Sequence, residues 1–234
     1  MSSICIIPAR GGSKRLPGKN LHPLGGKPLL SHTIDAAADS GCFDEIVVSS
    51  DDKDILALAQ THGVGIDVRS PEMAADTIRA VEVVYEFLER KLPGNNWDTV
   101  AMCLPTCPFR IKEDVKAAMD IFHGNKDRCP RLVGVKHAGS PQLALRALEN
   151  HVAEMREPEA YRKTTRSQDM DTYYVPNGSI YVSTVENYME ARTFFGNPLL
   201  YHVMPDERSF DIDYEYQMVI AESMMGYLKA KANG

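Results

Sequence analysis

Through its first 135 residues the chain alternates short apolar runs with stretches whose apolar residues recur roughly every three to four positions, and few folds accommodate that rhythm. Residues 4–7, 46–48, 64–68, 100–104 and 132–135 are the candidate strands, in the pattern expected when parallel strands are joined by covering helices. Between the first two, Pro28 suits a first helical turn, Leu29, Leu30, Thr33, Ile34 and Ala37 share one face, and Gly41 is placed to cap the end. Ile55, Leu56 and Ala59 followed by Gly63 repeat the arrangement. Val81, Val84, Tyr85 and Leu88, then Val115, Ala118, Met119 and Phe122, give two further amphipathic faces. The expectation is an α/β fold built on a doubly wound, mostly parallel sheet.

From about residue 137 to 175 the alternation fails, and a polar stretch rich in Arg, Glu and Gln takes over, with short runs at 143–148 and 152–155. It reads as an excursion from the sheet in the form of a β-ribbon arm. Strand character resumes at 180–182 and 199–204, and 214–230 has the length and periodicity of a terminal helix. The division is therefore 1–136 as core, 137–175 as arm and 176–234 as the remainder of the core. At 234 residues this is one main domain with an appendage. A net charge of -6 argues against a broad nucleic-acid surface and confines any anion site to a local pocket. No apolar run approaches the roughly 18 residues of a membrane span, and the N-terminus lacks a basic region with a cleavage site, so the sequence predicts a cytoplasmic protein without membrane contact. Five cysteines, an odd number, suit reduced thiols, and Cys103 and Cys107 have no further His or Cys at ligand spacing for zinc.

The densest chemical signal follows the first strand directly. Residues 10–19 hold four cations, Arg10, Lys14, Arg15 and Lys19, with Gly11, Gly12 and Gly18 among them. In an open α/β sheet ligands bind beyond the carboxyl ends of strands, so this loop has the address of a site. Gly11 and Gly12 permit close backbone approach and present amide donors, and the cations match several phosphates. The spacing is neither that of a P-loop nor of a dinucleotide fingerprint. A second signal is Asp211 and Asp213 around Ile212. In an extended segment both carboxylates share one face while Ile212 points to the core, a geometry for a divalent metal, although acids near a helix start also serve as caps. Residues 104–110, with two prolines, and 176–179, with Asn-Gly, read equally as rigid turns. Arg69, Asp76 and Thr77 lie ahead of a helix, where local chemistry does not separate a cap from a nucleotide contact.

Taken together and in order, six segments resemble the acylneuraminate cytidylyltransferases, the CMP-sialic acid or CMP-nonulosonic acid synthetase family. They are IIPARGGSKRLPGKN at 6–20, SSD at 49–51, RSPEMAADT at 69–77, PTCPFR at 105–110, PNGSIYV at 176–182 and SFDID at 209–213. The resemblance implies a Rossmann-like nucleotidyltransferase sheet with an inserted dimerisation arm, and hence a homodimer. It implies transfer of CMP from CTP to the anomeric hydroxyl of a nine-carbon acidic sugar, with release of pyrophosphate and with Mg2+. By position, Arg10, Gly11, Gly12, Ser13, Lys19 and Asn20 fall to the CTP phosphates and nucleoside, and Arg69, Asp76 and Thr77 to the cytidine. Asp211 and Asp213 fall to the metal, with Arg10, Lys19 and Asp211 as the catalytic set. Leu104, Thr106, Asn177, Tyr181, Phe194 and Phe195 fall beside the sugar, and Arg166 and Gln168 to its acidic end.

Three departures accompany the match. Leu104 stands where many relatives have a glutamine facing the sugar, Ser167 replaces a basic residue so that Arg166 is the nearest cation, and Ala80 stands where several have a serine near the base. No residue stands out as general base; the candidates are a metal-bound water or hydroxide and Asp211 itself. The rival readings are a cytidylyltransferase for Kdo or pseudaminate, a nucleotide-binding regulator without catalysis, and a Rossmann oxidoreductase, the last disfavoured by the missing glycine fingerprint.

Overall fold

The computed structural model describes residues 2–163, 166 and 170–233. The first half runs β1 (Ser3–Pro8), β2 (Pro23–Leu24), β3 (Lys27–Pro28), α1 (Leu29–Ser40), β4 (Glu45–Ser50), α2 (Lys53–Thr61), β5 (Gly65–Val68), α3 (Ala80–Lys91), β6 (Thr99–Met102) and α4 (Lys112–His123). The second half runs β7 (Arg131–His137), β8 (Leu145–Ala147), β9 (Ala153–Met155), α5 (Pro158–Lys163), β10 (Tyr174–Thr184), α6 (Val185–Ala191), β11 (Leu200–Val203) and α7 (Glu215–Asn233).

Seven strands form one sheet in the order β11-β7-β10-β6-β1-β4-β5. β10 runs antiparallel to β6 and β7, and every other pair is parallel. The period of two along β1 divides its side chains between the faces. Cys5 and Ile7 pack with Leu30 and Ile34 of α1 and Val115 and Phe122 of α4, while Ile4 and Ile6 pack with Val84, Phe87 and Leu88 of α3. Truncation of Phe122, fully buried, is on the scale of ~3–5 kcal/mol for a core aromatic. Gly41 closes α1 in the left-handed conformation at φ 64, and the Asp52 carboxylate caps α2 by accepting from the amides of Asp54 at 2.8 Å and Ile55 at 3.3 Å.

A third cluster lies under α7 and gathers Leu16, Leu24, Leu29, Phe109, Ile212, Met218 and Ala221. Three of these belong to segments that the sequence marked for chemistry: Leu16 to the glycine-rich loop, Phe109 to the proline loop and Ile212 to the acid pair. Burying their apolar residues together draws segments some two hundred positions apart to one end of the sheet. The arm leaves the sheet after β7 and returns at β10. Within it β8 and β9 form an antiparallel ribbon pairing Leu145 with Met155 and Ala147 with Ala153. α5, α6 and the short β2–β3 pair are elements that the apolar pattern does not announce.

Candidate active site

The loop after β1 rests on the turn that follows β4. Gly11 donates its amide to Asp51 Oδ1 at 3.0 Å, and a Cβ there would lie 2.6 Å from Asp52 Oδ2, so only glycine lets the two segments meet. The Gly11 amide, expected at a phosphate, is thus engaged within the protein, while Gly12 faces open space. Asn20 is buried and donates Nδ2 to the Arg10 carbonyl at 2.9 Å, which fixes the backbone that carries Arg10.

Beyond the strand ends lies a cavity of about 200 Å³. The loop contributes Arg10, Ser13, Lys14, Arg15, Lys19 and Asn20; Arg69 enters after β5, Leu104 and Thr106 after β6, and Asp213 from the segment before α7. Four of the cavity's five cations are held by two carboxylates. Asp76 pairs with Arg10 at 2.5 Å and also with Lys14, which keep its pKa below the ordinary range, the Lys14 bond foremost. Asp213 accepts from Arg15 at 2.8 Å and Lys19 at 3.0 Å, and Lys19 also donates to the Ile212 carbonyl at 3.1 Å. Arg69 donates Nε to Ser49 Oγ at 3.0 Å and Nη2 to the Ser49 carbonyl at 2.7 Å; burial lowers its pKa to about 10, so it stays charged at neutral pH. Five cations against two acids leave the cavity positive. Asp76 therefore neutralises the loop here, Thr77 is exposed, and Ile78 and Ala80 are what this segment presents to the cavity.

Asp211 and Asp213 differ in surroundings. Ile212 between them is fully buried, as the alternating pattern requires, and donates its amide to the Thr106 carbonyl at 2.8 Å. Asp211 is open to solvent on one side and crowded on the other. That crowding raises its pKa, a Thr106 hydrogen bond opposes the rise, and the charge of Asp213 adds to it. A Cβ on Gly178 would lie 3.7 Å from Leu104, 3.8 Å from Thr106 and 3.9 Å from Asp211, so the proline loop, β10 and the acid pair meet at this glycine, whose φ is +75.

Tyr181 is 9% exposed, with ring centroids 5.8 Å from Phe194 and 6.0 Å from Phe195. Burial, then the charge of Asp211, push its hydroxyl up to about 12. Phe194 does not form a wall: it is fully buried, 4.4 Å from the Tyr188 ring, because the chain between α6 and β11 tucks it beneath Tyr181. Phe195, 42% exposed, is the one of the pair with an open face. Asn177 is also turned inward. Its Nδ2 donates to Ser209 Oγ at 3.0 Å and its Oδ1 accepts from the Ser179 amide at 3.1 Å and hydroxyl at 2.6 Å, so it shapes the β10 bend from within. Arg166 is exposed and is not among the residues lining the cavity; Gln168 lies outside the described residues.

Two cations went unmarked in the sequence reading. Arg110 is 2% exposed and bonds the Ser179 carbonyl and Thr33 Oγ1, the latter at 2.8 Å, tying α1 and β10 together under the site. Lys136, half-buried at the carboxyl end of β7, donates to the Ser209 carbonyl at 3.4 Å. Arg110 closes the PTCPFR segment, where its inward role gave no separate signal, and Lys136 sits in no motif, so only the fold brings it to the sheet edge. Among the described residues no group of three or more His, Cys, Asp or Glu could hold a metal ion.

A doubly wound sheet with a five-cation cavity at its carboxyl edge is the architecture of an α/β protein that binds a polyanionic nucleotide. Comparison with known proteins gives the particular family. The profile of the family described as cytidylyltransferase matches residues 4–184. The chain is 34% identical over 230 residues to a CMP-N,N'-diacetyllegionaminic acid synthase of Legionella pneumophila, covering 96% of this chain and 97% of that protein. It is 34% identical to a pseudaminic acid cytidylyltransferase of Campylobacter jejuni, covering 91% of each. An N-acylneuraminate cytidylyltransferase of Streptococcus agalactiae is also 34% identical over 91% of this chain, which spans 51% of that relative, about half its length. Among solved structures, a CMP-2-keto-3-deoxy-manno-octonic acid synthetase complexed with CTP superposes with a TM-score of 0.70 at 17% identity, over 97% of this chain and 99% of that one. A 4-diphosphocytidyl-2C-methyl-D-erythritol synthase of Anaerococcus prevotii superposes with a TM-score of 0.66 at 12% identity, over 96% of each. These two establish the fold. The chain belongs to the cytidylyltransferase family.

Proposed function

We propose that this enzyme transfers a cytidylyl group from CTP to the anomeric hydroxyl of a nine-carbon acidic sugar of the N-acylneuraminate or legionaminate type, releasing pyrophosphate. The observation that carries the reading is the convergence of Arg10, Lys19, Arg69 and Asp213 on one cavity, with Asp211 beside it. Arg10, Lys14, Arg15 and Lys19 neutralise the triphosphate, Ser13 donates hydrogen bonds to it, and Arg69 with Ile78 and Ala80 borders the nucleoside. Such a reaction needs positioning and neutralisation of charge on the transferring phosphoryl group more than covalent catalysis.

The acid pair fits a magnesium ion better than a resident metal held in a protein cage. Magnesium keeps waters and completes its shell with substrate phosphates, and two carboxylates suffice for it. Asp211 and Asp213 are the residues that would hold it, and when bound it supplies charge neutralisation at the phosphates. Asp211, with its raised pKa, is the protein group best placed to receive the proton of the attacking hydroxyl. Thr106, Gly178 and Tyr181 border the sugar side.

Unpaired thiols at all five cysteines agree with a cytoplasmic setting, where nucleoside triphosphates are available; no helix among the described residues is long and apolar enough to cross a membrane. We also infer that two copies pair through the arm. The test of the reaction is pyrophosphate release from CTP with a panel of N-acetylneuraminate, diacetyllegionaminate, pseudaminate and Kdo, with ATP, GTP and UTP as controls. Turnover confined to CTP and a nine-carbon acid is expected; turnover with none of the acids would refute the reading.

A further inference from the structure

We propose that Lys136 is the cation that reads the carboxylate of the acidic co-substrate, an inference that rests on the cytidylyl-transfer reading above. The register of the sheet places Lys136 opposite Val175 of β10, at the end of a strand that runs parallel to β11 and, through β10, in the same sense as β6. It therefore lies at the same edge as the phosphate loop. Its ammonium is 3.4 Å from the carbonyl of Ser209, two residues ahead of Asp211.

The other cations of this edge are already engaged. Arg10 and Lys14 meet Asp76, Arg15 and Lys19 meet Asp213, and Arg69 is bonded to Ser49. Lys136 is half-buried, with one long hydrogen bond to a neutral carbonyl and, among the described residues, no carboxylate within ion-pair distance. Asp211 acts on this half-buried ammonium from beyond ion-pair distance, and of its three N–H donors one meets a partner among the described residues, so an anionic ligand can take the others. The distribution also fits two different anions. The many-cation end suits a triphosphate, and the single cation beside the Ser209–Asp211 segment suits a single negative charge.

The chemistry of the acceptor narrows the position further. In a 2-ulosonic acid the carboxylate and the anomeric hydroxyl are attached to the same carbon. Whatever group reads that carboxylate must stand next to the group that handles the attacking hydroxyl. Lys136 stands beside the Ser209–Asp211 segment, just outside the residues that line the phosphate cavity, whereas Arg166, the residue that sequence resemblance favoured, belongs to the arm.

The experiment compares the parent enzyme with Lys136→Gln and Lys136→Arg, using the preferred acid from the panel and its methyl ester. In Lys136→Gln the KM for the acid should rise roughly 10- to 100-fold, the range of a lost charge-assisted hydrogen bond, while the KM for CTP holds. The preference for acid over ester should collapse in Lys136→Gln and return in Lys136→Arg. A lysine that only braces Ser209 would disturb both KM values together and leave the acid-to-ester ratio as in the parent; that result, or an unchanged KM for the acid, overturns the proposal. Absence of pyrophosphate release by the parent with every acid is a separate failure, that of the transfer reading itself, and it removes the basis for this one.

Discussion

Asp211 and Asp213 sit two positions apart in different electrostatic environments. Arg15 and Lys19 bind the oxygens of Asp213, whereas crowding raises the pKa of Asp211. A carboxyl whose folded pKa exceeds its unfolded one binds more protons when folded. Stability then falls as pH climbs from the unfolded pKa to the folded one and stays lower above it. At neutral pH Asp211 therefore works against the fold, and Asp211→Asn should separate function from stability. Turnover should drop roughly 100-fold or more, the scale of losing one electrostatic contact at a reacting centre. The melting temperature, by calorimetry at pH 7, should rise. Near-normal pyrophosphate release, or melting below the parent, contradicts the role given to this carboxylate. Arg10, Lys19 and the two acids were legible as candidates in the sequence because their residue types cluster along the chain. Asn20, Asn177 and Phe194 were not legible as inward-facing, since which way a side chain points depends on partners, such as Arg10, Ser209 and Tyr188, that the fold and not the chain order sets against it.

At the scale of elements, β10 decides the shape of the acceptor side. It is the one antiparallel strand of the seven, and its register with β7 shifts between Pro176 and Tyr181. The shift turns Gly178 toward Leu104, Thr106 and Asp211 and lays Asn177 and Ser179 over Gly134 of β7. A methyl at Gly134 would run into Ser179 Oγ and lie 3.0 Å from Asn177 Oδ1, atoms already bonded to each other. Gly134→Ala should therefore destabilise by about 1–3 kcal/mol, as overpacking does, lowering the melting temperature by about 2–4 °C per kcal/mol. It should also raise the KM of the acceptor more than that of CTP, because the phosphate loop packs on β4. An unchanged melting temperature would mean that β10 yields to the methyl and does not fix the bend. Apolar runs located every strand of the large sheet, the central ones because burial on both faces leaves that trace and the edge strands β5 and β11, partly exposed, because their residues are still mostly apolar. The alternation of these runs with helices announced parallel neighbours but not the reversal of β10, which enters from the arm, and the seven-residue α6 is too short to show a period.

For the whole molecule the open question is what covers its remaining apolar surface. The two main clusters bury the faces of the sheet and the third seats α7. Outside them the ribbon of β8 and β9 presents Leu145 at 64% exposure, with Leu148 and Val152 beside the turn that joins its strands. A two-stranded ribbon has too little apolar burial of its own to hold these residues in water, and a second ribbon related by a twofold axis would cover them with the same side chains. In solution the protein should therefore scatter light as twice the 26.0 kDa of one chain. The double variant Leu145→Asp with Val152→Asp changes only exposed positions, so it should keep the fold while shifting the mass to that of one chain. α7 offers a competing surface through Val219, 70% exposed, and Ile220. If Val219→Asp dissociates the pair while the ribbon variant stays dimeric, the copies meet through the helix and the arm has another task.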